Sequence, residues 1–167
     1  FVGISSDLSQ IKTQAQASGA FYNPSGALGY HIVLKTNDTY DLYRVNNLQA
    51  APNGCTNLQS QDGWGTWSIR SSNGQTLLGN YAFPANGLIF FDDNVWVNGA
   101  INAARLTIAA GRFPDDSTTR RSITINNDLT YTNYDGRDVI GLIAQKNINV
   151  GLFSEDDLRI DAAIIAQ

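Results

Sequence analysis

Five short segments in the second half of the chain share one apolar pattern, and it constrains the fold more than any other feature. In the clearest copy, apolar-x-apolar-x-x-polar-apolar-x-apolar reads Leu142, Ala144, Asn147, Ile148, Val150. The same pattern gives Ile89, Phe91, Asn94, Val95, Val97 and again Ile123, Ile125, Asp128, Leu129, Tyr131. Looser copies are Leu106, Ile108, Gly111, Phe113 and Leu158, Ile160, Ala163, Ile164, Ala166. The copies start at 89, 106, 123, 142 and 158, so the intervals are 17, 17, 19 and 16 residues. Alternation with period two predicts strands. A repeat of this length with polar corners predicts stacked coils of a β-solenoid, each coil bonded to its neighbours. Outward positions such as Thr107, Thr124, Thr130 and Asn149 are polar, and Asn94, Asp128 and Asn147 suit the corners. The competing arrangement is an antiparallel sandwich of similarly spaced strands.

Composition agrees with a turn-rich chain. Of 167 residues only 16% are charged, 15 are Gly and 17 are Asn, and Met is absent. The first twenty residues, FVGISSDLSQIKTQAQASGA, place Leu8, Ile11 and Ala15 at helical spacing, with Ser5 or Ser6 as N-cap and Gly19 as a stop. From Tyr30 to Val45 the period is two about an Asn37-Asp38 turn, which predicts a hairpin. A second hairpin is predicted where Trp67-Ser68-Ile69-Arg70 and Gln75-Thr76-Leu77-Leu78 flank Ser71-Ser72-Asn73-Gly74. The expected organisation is a helix and hairpin cap region over residues 1–86 followed by β-helix coils over 87–167, together one compact fragment of a longer product. The last coil, ending at Gln167, is expected to leave an aggregation-prone open edge unless something covers it.

The formal charge of -4 argues against nucleic-acid binding, which rests on Lys and Arg neutralising phosphates. A single Cys55 closes no intrachain disulfide. No apolar run is long enough to span a bilayer, so any membrane association is expected through a segment absent from this chain.

His31, the only histidine, is read as an ordinary outward strand side chain, which leaves no Ser-His-Asp or Cys-His site. The pairs Asp92-Asp93, Asp115-Asp116 and Asp156-Asp157 admit calcium ligation or acid and base work on glycosides, but predicted corners favour Asp for turn chemistry alone. Trp64, Trp67, Tyr22, Tyr30, Tyr40 and Tyr43 are read mainly as core, with a sugar-stacking platform as the alternative. Trp96, between inward Val95 and Val97, should face outward under a loop, a partner or a ligand. Arg120-Arg121 beside Asp115-Asp116 predicts a local ion pair. The residues expected to make surface contacts are therefore Trp96, Asp92, Asp93, Arg120 and Arg121, with no catalytic, cofactor or metal residues.

The segments LGYHIVLKTNDTYDLYRV, GLIFFDDNVWVNGAI, SITINNDLTY, DVIGLIAQKNINV and DLRIDAAIIAQ resemble the pilin-like, type IV pilus-associated proteins of bacteria. The similarity extends over roughly residues 20 to 167. It implies an all-β surface domain of hairpins plus a right-handed parallel β-helix. The implied role is a non-enzymatic, extracellular structural or adhesive module, whose partners are other pilus or cell-surface subunits or a surface glycan. The alternative is a carbohydrate-binding or polysaccharide-degrading β-helix protein using Asp92, Asp93 and Trp96.

Overall fold

The computed structural model describes residues 4–50 and 68–167. One helix, α1 (Ile4–Ser18), precedes eleven strands: β1 (Ala20–Tyr22), β2 (Gly29–Lys35), β3 (Thr39–Val45), β4 (Gln75–Ala82), β5 (Leu88–Phe91), β6 (Val95–Ile101), β7 (Arg105–Ala110), β8 (Ile123–Tyr131), β9 (Val139–Ala144), β10 (Ile148–Val150) and β11 (Ala163–Ala166). They form two sheets. One has five parallel strands in the order β1-β5-β7-β9-β11; the other has six in the order β10-β8-β6-β2-β3-β4, parallel from β10 to β2 and antiparallel from β2 to β4.

The expected all-β, right-handed parallel β-helix is therefore not the architecture: the chain is a mixed α/β arrangement of two sheets and a helix layer. The 17-residue frame equates Ile123 with Ile89 and Leu142, but Ile123 pairs with Val95 and Ile148 in the mixed sheet. In the parallel sheet Ile89, Ile108, Leu142 and Ile164 lie side by side, at intervals of 19, 34 and 22 residues. No constant coil length exists: the copies at 89 and 142 each span two strands in different sheets, whereas the copy at 123 lies within β8 alone. The antiparallel pair β3 and β4 further departs from a coil. The second predicted hairpin also differs: Ile69 bridges Leu48, β4 pairs with β3, and Trp67 lies outside the described residues.

The two sheets enclose one core. Ile89, Phe91, Ile108, Leu142 and Ala144 face Ile32, Leu42, Val95, Val97, Ile123, Ile125 and Leu129. Each fully buried Val, Ile, Leu or Phe contributes about 1.5–3 kcal/mol relative to exposure, so this stack is the main stabilising feature. At the β1, β3 and β4 end an aromatic group closes the core. The rings of Tyr22 and Phe91 are 4.9 Å apart, Tyr22 and Tyr30 5.6 Å, and Tyr40 and Phe83 6.2 Å. The Tyr22 and Tyr40 hydroxyls share a 2.6 Å hydrogen bond, and burial raises both above the ordinary tyrosine pKa. Gly99 on β6 has φ of 114°, and a Cβ there would lie 2.2 Å from the Leu34 carbonyl oxygen. Only glycine fits, and the β6–β8 register shifts beside it.

Helix α1 covers the outer face of the parallel sheet. Leu8 and Ala15 are buried against Phe90 and Ala109, with Ile11, Phe21, Leu88 and Ile143 packed around them. Asp7 in the first turn complements the helix dipole. The helix runs diagonally: Ser5 Oγ donates to Gln167 Oε1 beyond β11, while Ser18 Oγ accepts from Asn86 Nδ2 just before β5.

Candidate functional site at the charged corner between the sheets

Strands of the parallel sheet end at Phe91, Ala110 and Ala144, and the chain then turns into the mixed sheet. Asp92, Asp93 and Asn94 make one of the two three-residue turns among these. The Asp92 amide donates to the Tyr22 carbonyl at 2.9 Å, and Tyr30 N–H donates to the Asn94 carbonyl at 2.9 Å. The two carboxylates diverge to different partners.

Asp92 faces α1. Its Oδ2 lies 3.3 Å from Lys12 Nζ, and Oδ1 lies 3.9 Å from Arg112 Nε without a hydrogen-bond partner. The Lys12 ammonium sits over the rings of Phe21, Phe90 and Phe113 at 5.5–5.9 Å, within cation–π range. Asp93 is only 5% exposed. It accepts from Ser25 N at 2.8 Å, Ser25 Oγ at 2.7 Å and Asn94 N at 2.9 Å, and Arg121 Nε lies 4.0 Å away. A buried carboxylate is tolerated because donors and a cation replace water.

The neighbouring turn, residues 111–122, is pinned by Gln145, which is fully buried. Its Oε1 accepts from Arg112 N at 2.6 Å, and its Nε2 donates to Arg112 O at 2.9 Å and to Asp115 Oδ1 at 3.0 Å. Arg120 grips both Asp115 oxygens, at 2.8 and 3.0 Å. That guanidinium holds the Asp115 carboxyl below the usual range, as the Thr118 N–H does for Asp116.

Trp96 lies on the face of the mixed sheet turned away from the core and is 4% exposed, with its ring against Gly29. His31 is beside it in register and 5% exposed. The imidazole lies between the Gln75 and Asn98 side-chain amides, with Nδ1 2.6 Å from Gln75, and stacks on Tyr43 at 5.6 Å. Burial holds its pKa below the ordinary histidine value. Both residues are interior, not surface, side chains. Cys55, Trp64 and Trp67 lie outside the described residues.

The structure thus brings Asp92, Asp93, Arg120 and Arg121 to one corner, with Trp96 beside the same turn on the outer face of the mixed sheet. Asp128 lies within β8 and accepts from Arg159 N at 2.8 Å, a different partner from those of Asp92 and Asp93. Asp156 and Asp157 are exposed. Among the described residues no group of three or more His, Cys, Asp or Glu is arranged to hold a metal ion.

Sequence reasoning passed over a second carboxylate corner. Asp138 is buried and accepts from Asn133 N at 2.6 Å and Ala104 N at 3.2 Å. Desolvation raises its pKa, but these donors outweigh it and the net shift is downward. Asp161 accepts from Tyr131 N and Tyr134 Oη, with the same balance. The available signal was position: Asp138 directly precedes the apolar run of β9, where a strand start leaves amides to satisfy. Lys12 and Gln145 carried no such signal.

Comparison with protein-family models, curated proteins and solved structures finds no match. Pilus association and adhesion accordingly have no support beyond the resemblance, and the β-helix on which it rested is overturned. Among the described residues no helix is long and apolar enough to cross a membrane.

Proposed function

We propose that the chain is a non-enzymatic, extracellular structural module, a rigid two-sheet body that offers its ends and flanks to another macromolecule. The observation that carries this reading is the divergence of Asp92 and Asp93. One carboxylate ties α1 to the sheet through Lys12, and the other closes a turn through Ser25 and Asn94. Carboxylates that act together on a glycosidic bond face each other across space for a sugar; of these two, one is spent on an ion pair to the helix and the other on holding a turn. The test is a polysaccharide panel assayed for reducing ends, run beside thermal melting of Asp93→Ala and Asp92→Asn. The expected result is no release of reducing ends and a lowered melting temperature for Asp93→Ala. Turnover lost in Asp92→Asn with unchanged melting would replace this reading with an enzymatic one.

A sugar-binding reading has one observation in its favour. Tyr81 is 41% exposed at the aromatic end and meets Tyr22 edge-on, with ring centroids 6.3 Å apart. A pyranose stacked there would give chemical-shift changes in a glycan titration that Tyr81→Ala abolishes.

A further inference from the structure

The turn between β2 and β3 carries Asn37-Asp38-Thr39, an Asn-x-Thr triplet of the kind that accepts N-linked saccharides. The chain's other Asn-x-Ser/Thr triplet, Asn23-Pro24-Ser25, is barred from that chemistry by its central proline. The first triplet stands in the open, with Thr36, Asn37 and Asp38 all exposed. Its backbone is nevertheless fixed. Asp38 takes a φ of 60°, a left-handed turn that Asp tolerates, and Phe83 N donates to the Asp38 carbonyl at 2.8 Å. The tip lies at the opposite end of β2 from the Asp92-Asp93 corner, since Tyr30 pairs with Val95 and Leu34 with Gly99.

The side chains of the triplet are already in register with each other. Thr39 Oγ1 lies 2.7 Å from Asn37 Oδ1, and the neighbouring strand sets the direction of that bond. Asn80 Nδ2 donates to Asp41 Oδ1 at 2.9 Å, to the Tyr40 carbonyl at 3.3 Å and to Thr39 Oγ1 at 3.2 Å. The first two partners only accept, so it is the Asn80 nitrogen that faces Thr39. The Thr39 hydroxyl accepts there and gives its own proton to Asn37 Oδ1. The Asn37 carboxamide is thus held by its oxygen, and its Nδ2 has no hydrogen-bond partner among the described residues.

We infer that Asn37 is the acceptor for a saccharide delivered from a glycosyl diphosphate by a transferase. In the step, Nδ2 bonds to the anomeric carbon, and the bond from that carbon to the diphosphate oxygen breaks with its electron pair. One Nδ2 proton leaves with the diphosphate. The Thr39 hydroxyl, by donating to Oδ1, polarises the carboxamide and eases loss of that proton. Lipid-linked and nucleotide-linked diphosphates share this chemistry. The inference goes beyond the structural-module reading and does not rest on it.

Peptide mapping of the chain purified from its own cells tests the inference. Cleavage after Lys35 and Arg44 isolates Thr36 to Arg44, in which Asn37 is the only asparagine. The expected result is this peptide heavier by a saccharide, with Asn37 converted to Asp on enzymatic release in heavy-oxygen water. A single sugar identifies the nucleotide-linked donor, and a preassembled oligosaccharide the lipid-linked one. Thr39→Ala should lose the saccharide and Thr39→Ser keep it, with unchanged far-ultraviolet circular dichroism in both. Should Thr39→Ala fail to fold, Asn37→Gln, at the exposed tip, supplies the loss. A bare Asn37 in the native chain overturns the inference, as does a saccharide mapped to Thr36 or Thr39, or one that survives in Thr39→Ala. Each of these results leaves the structural-module reading standing, whereas polysaccharide turnover would remove that reading alone.

Discussion

The two ends of the inter-sheet core are built from the same kind of stacked parallel strands, yet they finish differently. At one end the antiparallel strands β3 and β4 extend the mixed sheet, and Tyr22, Tyr40 and Phe83 fill the space beneath them. At the other, β10 and β11 stop with Val150 and Ile164 half in solvent. The difference teaches that burial along this core depends on what lies beyond the last strand, since the strands themselves carry similar apolar residues. Stability should accordingly be graded from the aromatic end to the open one.

The largest effect that would test this gradient is at the aromatic end. Phe91→Ala removes a fully buried ring and should cost about 3–5 kcal/mol in urea unfolding, enough to approach global unfolding of a marginal domain. Next is Asp138→Ala, which strands the Asn133 and Ala104 amides in a buried corner and should cost about 1–3 kcal/mol. A smaller effect concerns pH. Burial keeps the folded pKa of His31 below its unfolded value, so the unfolded chain takes up the proton first. Stability should then hold above about pH 6.5 and fall as pH drops below it, levelling off only beneath the folded pKa. Comparing urea midpoints at about pH 7.5 and about pH 5.5, the fall should be smaller in His31→Gln than in wild type. An equal fall in both would show that carboxylates alone set it. Smallest is Ile164→Ala on β11, half exposed, which should cost below about 1 kcal/mol; a loss matching Phe91→Ala would erase the contrast between the ends.

Parts of this fold were legible in the sequence because they depend on neighbours along the chain. Leu8 and Ala15 mark the buried stripe of α1, and the Tyr30 to Val45 alternation marks the β2–β3 pair. The repeat was legible as strands but not as a topology. Ile89 and Ile123 carry the same local pattern in different sheets, and only hydrogen bonding between distant segments tells them apart. The same limit applies to the site. Alternation placed Trp96 and His31 away from the core, but their burial depends on cover from elsewhere in the chain. For Lys12, eighty residues from Asp92, nothing in the local sequence marks the pairing.

Helix α1 is synthesised before every strand it packs on. The surface it packs on is assembled from Phe21, Phe90, Ala109 and Ile143, one residue from each of β1, β5, β7 and β9. Its first turn is fastened to Gln167, 162 residues away in the chain. The helix is therefore made before its seat, and until β9 is in place it has only part of a sheet to lie on. Loop closure over such distances slows folding. The apolar stripe of this helix is covered in full only when those four strands stand side by side.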